Sequence, residues 1–230
     1  MSIIKDKIIF KEGIVSYRHT VPSGNEDKPC MVMVHGALSD SRFFHRQMRS
    51  LGKDYRLIAP DLPGHGDSMC DTWTAEDCIS AIEEVIVQEK AFPAVIVAHS
   101  MAGPLALTLC HRKPHLFRAM ILVSTAMQVT IEEGLRERIL SGTVSPEEFL
   151  PLIFSDRMAR IASGFFNSND LSIIDYLRKD LAVCDSTDSS AFCAGIFVPV
   201  MCIASEGDRL IPSYFTRALS SAIPGSKLVL

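Results

Sequence analysis

The feature that most constrains the fold is the stretch Val95-Ile-Val-Ala-His-Ser-Met-Ala-Gly103, where an apolar run meets a serine and then a helical pattern. This pattern predicts a buried strand, a sharp turn and a helix, with Ser100 at the apex of a nucleophile elbow. The usual elbow has glycine two residues before and two residues after the serine, and here both positions are alanine, Ala98 and Ala102. Alanine is the next smallest residue, so strand and helix can still approach closely. The alternative is a buried strand followed by an ordinary serine helix cap.

Short apolar runs alternate with helical patterns on both sides of this stretch. Strands are predicted over residues 3–10, 14–20, 30–34, 55–59, 94–98, 118–124, 198–204 and 226–230. Alternating strands and helices imply right-handed crossovers, so the sequence predicts an α/β fold with a mostly parallel sheet of about eight strands flanked by helices. Between residues 125 and 196 the pattern is helical and irregular, without a clear strand. We therefore predict a discontinuous core, residues 1–124 and 197–230, with residues 125–196 inserted as a helical cap.

The composition argues against several classes of partner. The formal net charge is −4, and no run of Lys or Arg suggests binding to nucleic acid or to an anionic membrane. No apolar run is long enough for membrane insertion, and the charged start of the chain does not resemble a signal peptide. The seven cysteines are scattered without metal-ligand spacing, a pattern typical of reduced thiols in a cytoplasmic protein. We expect a cytoplasmic protein whose partner is a small molecule.

Two backbone N–H groups are predicted to lie near Ser100, where they would stabilise a developing oxyanion. One belongs to Met101, the residue after the serine. The other belongs to Ala37, because the strand 30–34 ends in His35-Gly-Ala37 and Gly36 allows the backbone to turn. Both groups leave the sheet at the carboxyl end of a strand, which is where ligands bind in open parallel sheets.

Asp208 is the candidate acid of a catalytic triad. It follows Gly207 just beyond the predicted strand 198–204, again at the carboxyl edge of the sheet. A carboxylate there can orient a histidine and stabilise its imidazolium. The alternative is a turn aspartate or the N-cap of the next helix, and Glu206 is a less favoured substitute for the acid.

Taken together, these motifs resemble the α/β-hydrolase family, in particular its small capped esterases, lactonases and carbon–carbon bond hydrolases. The matching residues are His35-Gly36, Asp61-Leu-Pro-Gly-His-Gly-Asp-Ser68, the Ser100 elbow and Gly207-Asp208. The resemblance implies that Ser100 is the nucleophile, that Asp208 is the triad acid and that Ala37 and Met101 form the oxyanion hole. It implies no metal and no organic cofactor. In such families the loop 61–68 mainly has a structural role, to which we assign His65 and Ser68.

The chain departs from the family pattern at the general base. The triad order of the family is Ser, Asp and then His, but all seven histidines of this chain precede Asp208. We expect His99 to point away from the Ser100 hydroxyl. Two explanations are open: the sequence stops before its natural C-terminus, which we favour, or the protein has no base. In the second case it is a ligand-binding or receptor protein with weak or absent catalysis.

The predicted cap points to the substrate class. Its Phe, Leu, Ile and Met residues could form the wall of an apolar cavity, or could simply hold the cap together. Arg157 and Arg160 could bind a substrate carboxylate, although solvated surface charge is the simpler interpretation of both. The sequence thus predicts a serine hydrolase for a small, fairly apolar ester, thioester or lactone, or for a C–C bond in a diketone.

Overall fold

A computed structural model describes residues 2–21, 29–153 and 171–230 of the chain. Its centre is one eight-stranded sheet with the strand order β1-β2-β4-β3-β5-β6-β7-β8. β1 and β2 form an antiparallel hairpin, β2 is antiparallel to β4, and all other neighbours are parallel. The strands are β1 (Ile3–Phe10), β2 (Gly13–Thr20), β3 (Cys30–Val34), β4 (Arg56–Pro60), β5 (Ala94–His99), β6 (Phe117–Val123), β7 (Val200–Ile203) and β8 (Lys227–Val229). The predicted fold class is confirmed, and each predicted strand is present with small changes at its ends.

Seven α-helices connect these strands in the described part of the chain. They are α1 (His45–Leu51), α2 (Ala75–Gln88), α3 (Ala102–Arg112), α4 (Glu133–Ser141), α5 (Pro146–Ile153), α6 (Leu171–Asp185) and α7 (Ser213–Ala222). The start of α2 is fixed by a capping box, in which the Thr74 hydroxyl accepts the Asp77 N–H and the Asp77 carboxylate accepts the Thr74 N–H. The predicted helix 41–51 is a short 3-10 turn, Ser41–Phe44, that runs directly into α1.

The central strands are covered on both faces, which explains why their sequences are continuous apolar runs. In β3, Val32 and Val34 join the larger hydrophobic core, which includes α2 and α3. Met33, between them in sequence, joins a smaller core with Phe44 and Met48 on the opposite face. The alternation of side chains along one strand therefore supplies two cores.

The helices between β6 and β7 have a hydrophobic core of their own. Its buried members are Leu135, Ile139, Val144, Phe149, Leu150 and Leu181. Between β6 and β7 the described residues contain helices and loops but no strand, as the irregular pattern indicates. The exact limits of the predicted cap, 125–196, stay a prediction. Arg157 and Arg160 lie outside the described residues.

Candidate active site

Ser100 occupies the sharp turn between β5 and α3. Its φ angle is +52°, in the left-handed region that a residue with a side chain rarely adopts. The turn is held by two hydrogen bonds, from the Ser100 N–H to the Val123 carbonyl (3.0 Å) and from the Thr125 hydroxyl to the Ser100 carbonyl (2.7 Å). Strained backbone of this kind persists only where its surroundings fix it. The structure thus has the local geometry of the predicted elbow.

Crowding around the turn explains why its neighbours are small. Ala98 and Ala102 are both fully buried. At Gly103 an added Cβ would lie 2.1 Å from the Thr125 hydroxyl oxygen, far inside contact distance. The hydroxyl that holds the Ser100 carbonyl therefore occupies the space that a side chain at position 103 would need.

The loop after β3 lies directly against the nucleophile candidate. A Cβ added to Gly36 would be 2.9 Å from the Cβ of Ser100, so only glycine permits this approach. Ala37 and Met101 both line the cavity that Ser100 lines. Neither the Ala37 N–H nor the Met101 N–H donates a hydrogen bond to another described residue. Two unused donors on either side of the serine fit the predicted oxyanion hole.

Asp208 lies in the loop after β7 and lines the same cavity. Its Oδ1 accepts the N–H groups of Leu210 (3.0 Å) and Ile211 (2.8 Å), while Oδ2 has no hydrogen-bond partner among the described residues. The turn interpretation and the triad interpretation are therefore compatible, since they use different oxygens. Glu206, the less favoured acid, is exposed and its carboxylate is 3.6 Å from Arg217.

His99 lies in the wall of the cavity, where its ring stacks on Phe43 with the ring centroids 4.7 Å apart. Burial lowers the pKa of His99 to about 4, although the negative charge of Asp208 opposes that effect. No hydrogen bond joins His99 to Ser100 or to Asp208 among the described residues. His99 is therefore neutral near neutral pH and makes no described hydrogen bond through which it could take the Ser100 proton. That His99 is not the base stays a prediction.

The cavity above Ser100 has a volume of about 140 Å³ and is mostly apolar. Aliphatic and aromatic side chains from α4, α5 and α6 face Ser100 across it, chiefly Leu135, Ile139, Phe149, Leu177 and Leu181. No cluster of three potential metal ligands occurs in the part of the chain that the structure describes. Within that part, no helix is long and apolar enough to cross a membrane.

The sequence of residues 31–229 matches the alpha/beta hydrolase family. The chain belongs to this family. The lipase LipV of Mycobacterium tuberculosis is 29% identical over 156 residues, which span 67% of this chain and little more than half, 56%, of LipV. The pimeloyl-(acyl-carrier protein) methyl ester esterase of Yersinia pseudotuberculosis is 25% identical, covering 93% of this chain and 87% of that esterase.

Solved structures of hydrolases share the fold. The enol-lactonase from Burkholderia xenovorans superimposes with a TM-score of 0.80 at 20% identity, over 97% of this chain and 90% of the lactonase. The esterase EaEST from Exiguobacterium antarcticum gives 0.77 at 20% identity, over 94% and 86% of the two chains. The family that the motifs indicate is confirmed, and this chain is a member of a hydrolase family that includes esterases and lipases.

The loop 61–68 is joined to the neighbouring elements of the core by hydrogen bonds of Asp61 and Ser68. Asp61 is fully buried, and its two carboxylate oxygens accept the N–H groups of Ser41 (2.7 Å) and Asp67 (3.0 Å). The Ser68 hydroxyl donates to the Asp61 carbonyl and accepts the N–H of Ser16 in β2. These bonds join the loop to β2 and to the turn before α1, which agrees with a structural role for Ser68.

His35 and His65, with ring centroids 5.0 Å apart, have pKa values that are shifted in opposite directions. His35 Nε2 accepts the Leu62 N–H, which requires a neutral ring, and burial lowers the pKa of His35 to about 3. His65 Nδ1 faces the Pro63 carbonyl and Nε2 faces the Asp180 carboxylate, so both neighbours can only accept. Burial by itself lowers the pKa of His65, but the hydrogen bond and charge of Asp180 outweigh it and the net pKa is raised.

The two histidines should therefore give the stability of the protein opposite pH dependences. The unfolded chain protonates His35 below about pH 6.5 while the folded protein does not. The free energy of unfolding therefore falls by several kcal/mol as the pH drops from 6.5 towards 3. Because the pKa of His65 is raised in the folded state, its contribution to the free energy of unfolding is fully present below pH 6.5 and is lost as the pH rises through that raised pKa.

Urea unfolding of His35→Gln and His65→Gln at several pH values measures both effects. We expect the destabilisation caused by His35→Gln to shrink as the pH falls from 6.5 to 4. The destabilisation caused by His65→Gln should instead shrink as the pH rises above 6.5. Equal pH dependence in the two variants would contradict the assigned directions of the two pKa shifts.

Asp180 is the residue of this site that the sequence analysis missed. It lies on α6, on the face that also carries Leu177, Leu181 and the buried Cys184. An acid on the apolar face of a helix is the signal that could have identified it, because a buried carboxylate needs partners. Its partners, however, are 115 and 142 residues away in sequence.

Proposed function

We propose that the chain is a serine hydrolase that transfers the acyl group of a small, apolar ester, thioester or lactone to Ser100. The observation that carries this proposal is the contact of Gly36 with Ser100, which brings two unused N–H donors to one reactive hydroxyl. As the Ser100 oxygen attacks the carbonyl carbon, the carbonyl oxygen becomes negative and would accept the N–H groups of Ala37 and Met101. Donors fixed in advance stabilise that charge without reorganisation. The tetrahedral intermediate then collapses: the acyl–oxygen or acyl–sulfur bond of the substrate breaks, and the alcohol or thiol leaves with the proton that the Ser100 hydroxyl gave up. Water finally hydrolyses the acyl-serine, which releases the acid and restores the Ser100 hydroxyl.

The acid of the mechanism is Asp208, through its Oδ2. That oxygen is free to accept a hydrogen bond from an imidazole, while Oδ1 is held by two backbone N–H groups. A carboxylate fixed in this way sets the tautomer and orientation of the imidazole. We propose that none of the seven histidines is the triad histidine, since none of them hydrogen-bonds Ser100 or Asp208 in the described structure. Loss of this base in serine proteases costs on the order of 10⁶ in turnover.

The substrate is proposed from the walls of the cavity. Residues 125–196 act as a cap whose helices α4, α5 and α6 place aliphatic side chains opposite Ser100. The charged groups on the cavity wall, Asp180 and Asp208, are both carboxylates. Among the described residues that line the cavity, no Lys or Arg could pair with a negatively charged acyl group, whereas an alkyl or aryl acyl group fits the apolar walls.

The test compares two activated esters, p-nitrophenyl butyrate and p-nitrophenyl monosuccinate, with and without added imidazole. We expect slow release of p-nitrophenol from the butyrate. Imidazole should increase this release by more than the reaction of imidazole with the ester in the absence of protein. The succinate should react at least about tenfold more slowly than the butyrate. The background reaction is measured with Ser100→Ala. Equal rates for the two esters would contradict the substrate class.

A ligand-binding protein is the second candidate, and it is favoured because the Ser100 hydroxyl has no hydrogen-bond partner among the described residues. In that case neutral apolar esters would bind and protect the chain against thermal unfolding, but no p-nitrophenol would be released above the Ser100→Ala background with or without imidazole. Binding together with enzyme-dependent release would exclude this candidate.

A further inference from the structure

Asp180 connects the helices between β6 and β7, here called the helical segment, to the loop that carries the proposed oxyanion hole. The residue is only 1% exposed, and its carboxylate hydrogen-bonds the core rather than its own helix. Oδ2 accepts the N–H of Leu38 at 2.8 Å. Oδ1 and Oδ2 lie 3.0 and 3.2 Å from Nε2 of His65, which belongs to the loop 61–68. One side chain of α6 therefore holds two separate loops of the core.

The bond to Leu38 acts on the peptide next to the proposed donor. Leu38 follows Ala37 directly and has a φ angle of +53°, which is strained for a branched side chain. The Asp180 carboxylate fixes the orientation of the peptide between Ala37 and Leu38. Because Ala37 is shared by that peptide and the one before it, the Asp180 bond also restricts where the Ala37 N–H can point.

The Asp180 carboxylate is paired with the His65 ring. Nδ1 of His65 faces the Pro63 carbonyl and Nε2 faces the Asp180 carboxylate, and the hydrogen bond and charge of Asp180 raise the pKa of His65 against the effect of burial. A buried carboxylate is costly without polar partners, and Asp180 has two of them, the His65 ring and the Leu38 N–H. Asp61, nearby, is already occupied by the Ser41 and Asp67 N–H groups.

From this geometry we infer that Asp180 is a positioning residue. Because it holds the Leu38 N–H from α6, the Ala37 N–H is correctly placed only when the helical segment is packed on the core. Asp180 acts through Leu38 and the loop after β3, not by contact with the reacting atoms. The inference rests on the proposed function, because it assigns Asp180 an effect on acyl transfer to Ser100. It predicts that the helical segment is needed for the rate of acylation as well as for substrate binding.

The experiment measures the rate of acylation of the 230-residue chain by saturating p-nitrophenyl butyrate in imidazole, together with thermal unfolding. Asp180→Asn keeps an oxygen for the Leu38 N–H and should lower the saturated rate less than about tenfold. Asp180→Ala removes the acceptor and should lower it about 10²-fold, the size of effect that a displaced catalytic group produces. Asp175→Asn, an exposed aspartate on the same helix, is the matched control and should leave the rate unchanged.

A purely structural role is tested with the double variant Asp180→Val/His65→Leu. Replacing both members of a buried ion pair by apolar residues often leaves the stability unchanged, so this variant is expected to fold even if Asp180→Ala does not. It still lacks the acceptor for Leu38 and should remain about 10²-fold slower at saturation. If a folded variant without the acceptor acylated at a saturated rate within about threefold of the wild-type rate, the inference would be overturned. If the wild-type chain itself forms no adduct, the proposed function fails instead.

Discussion

Ser100→Ala should eliminate the acyl adduct that p-nitrophenyl butyrate forms with the wild-type chain. The reason is that Ser100 combines the strained turn, with φ of +52°, with the Gly36 contact and the two unused N–H donors. An acyl group on any other hydroxyl would lack that stabilisation of the oxyanion. Because water also needs a base to release the acid, and we propose that the seven histidines supply none, the adduct should accumulate. Intact-protein mass spectrometry detects it, and peptide mapping places it on one residue.

Ser124→Ala is the matched control for this prediction. Ser124 lies in the wall of the same cavity, also follows a central parallel strand, and also has a positive φ angle, +45°. It lacks the glycine contact and the start of α3 that distinguish Ser100. The Ser124 variant should form the adduct at the wild-type rate. An adduct that persists in Ser100→Ala, or that maps to Ser124, would show that Ser100 is not the nucleophile.

The sheet was predictable because each strand carries its own signal. Buried parallel strands such as β3 and β5 are continuous apolar runs with helical patterns between them, and this local alternation determines the topology. The elbow was predictable for the same reason, since Val95–Gly103 is a single continuous stretch. Ser100 and Asp208 could be placed at one edge because both follow parallel strands.

The contacts between the core and the helical segment were not predictable. The sequence indicates a structural role for His65, but its contact with Asp180 joins residues that are 115 positions apart in the chain. The same is true of Thr125, whose hydroxyl holds the Ser100 carbonyl from the end of a neighbouring strand. Contacts of this kind depend on how helices without a regular pattern pack, and neither periodicity nor spacing determines that packing.

Gly36→Ala should lower the rate of acylation about 10²- to 10³-fold. This factor corresponds to the ~2.7–4 kcal/mol of transition-state stabilisation that one oxyanion donor contributes. The added Cβ would lie 2.9 Å from the Ser100 Cβ and 3.1 Å from both the His99 Nδ1 and the His99 carbonyl oxygen. The Ser100 Cβ and the His99 carbonyl are fixed by the backbone of β5, so the loop after β3 has to retreat. That movement takes the Ala37 N–H away from the carbonyl oxygen of the bound ester.

Substrate binding should change much less than the rate in this variant, because the apolar walls from α4, α5 and α6 are untouched. The saturated rate of acylation should therefore fall while the ester concentration at half-saturation stays close to that of wild type, the signature of an interaction made only in the transition state. Gly195→Ala is the matched control, since nothing lies within 4 Å of a Cβ at that position. If Gly36→Ala acylated as fast as Gly195→Ala, the loop after β3 would not supply a donor, and the oxyanion would have to be stabilised by Met101 alone.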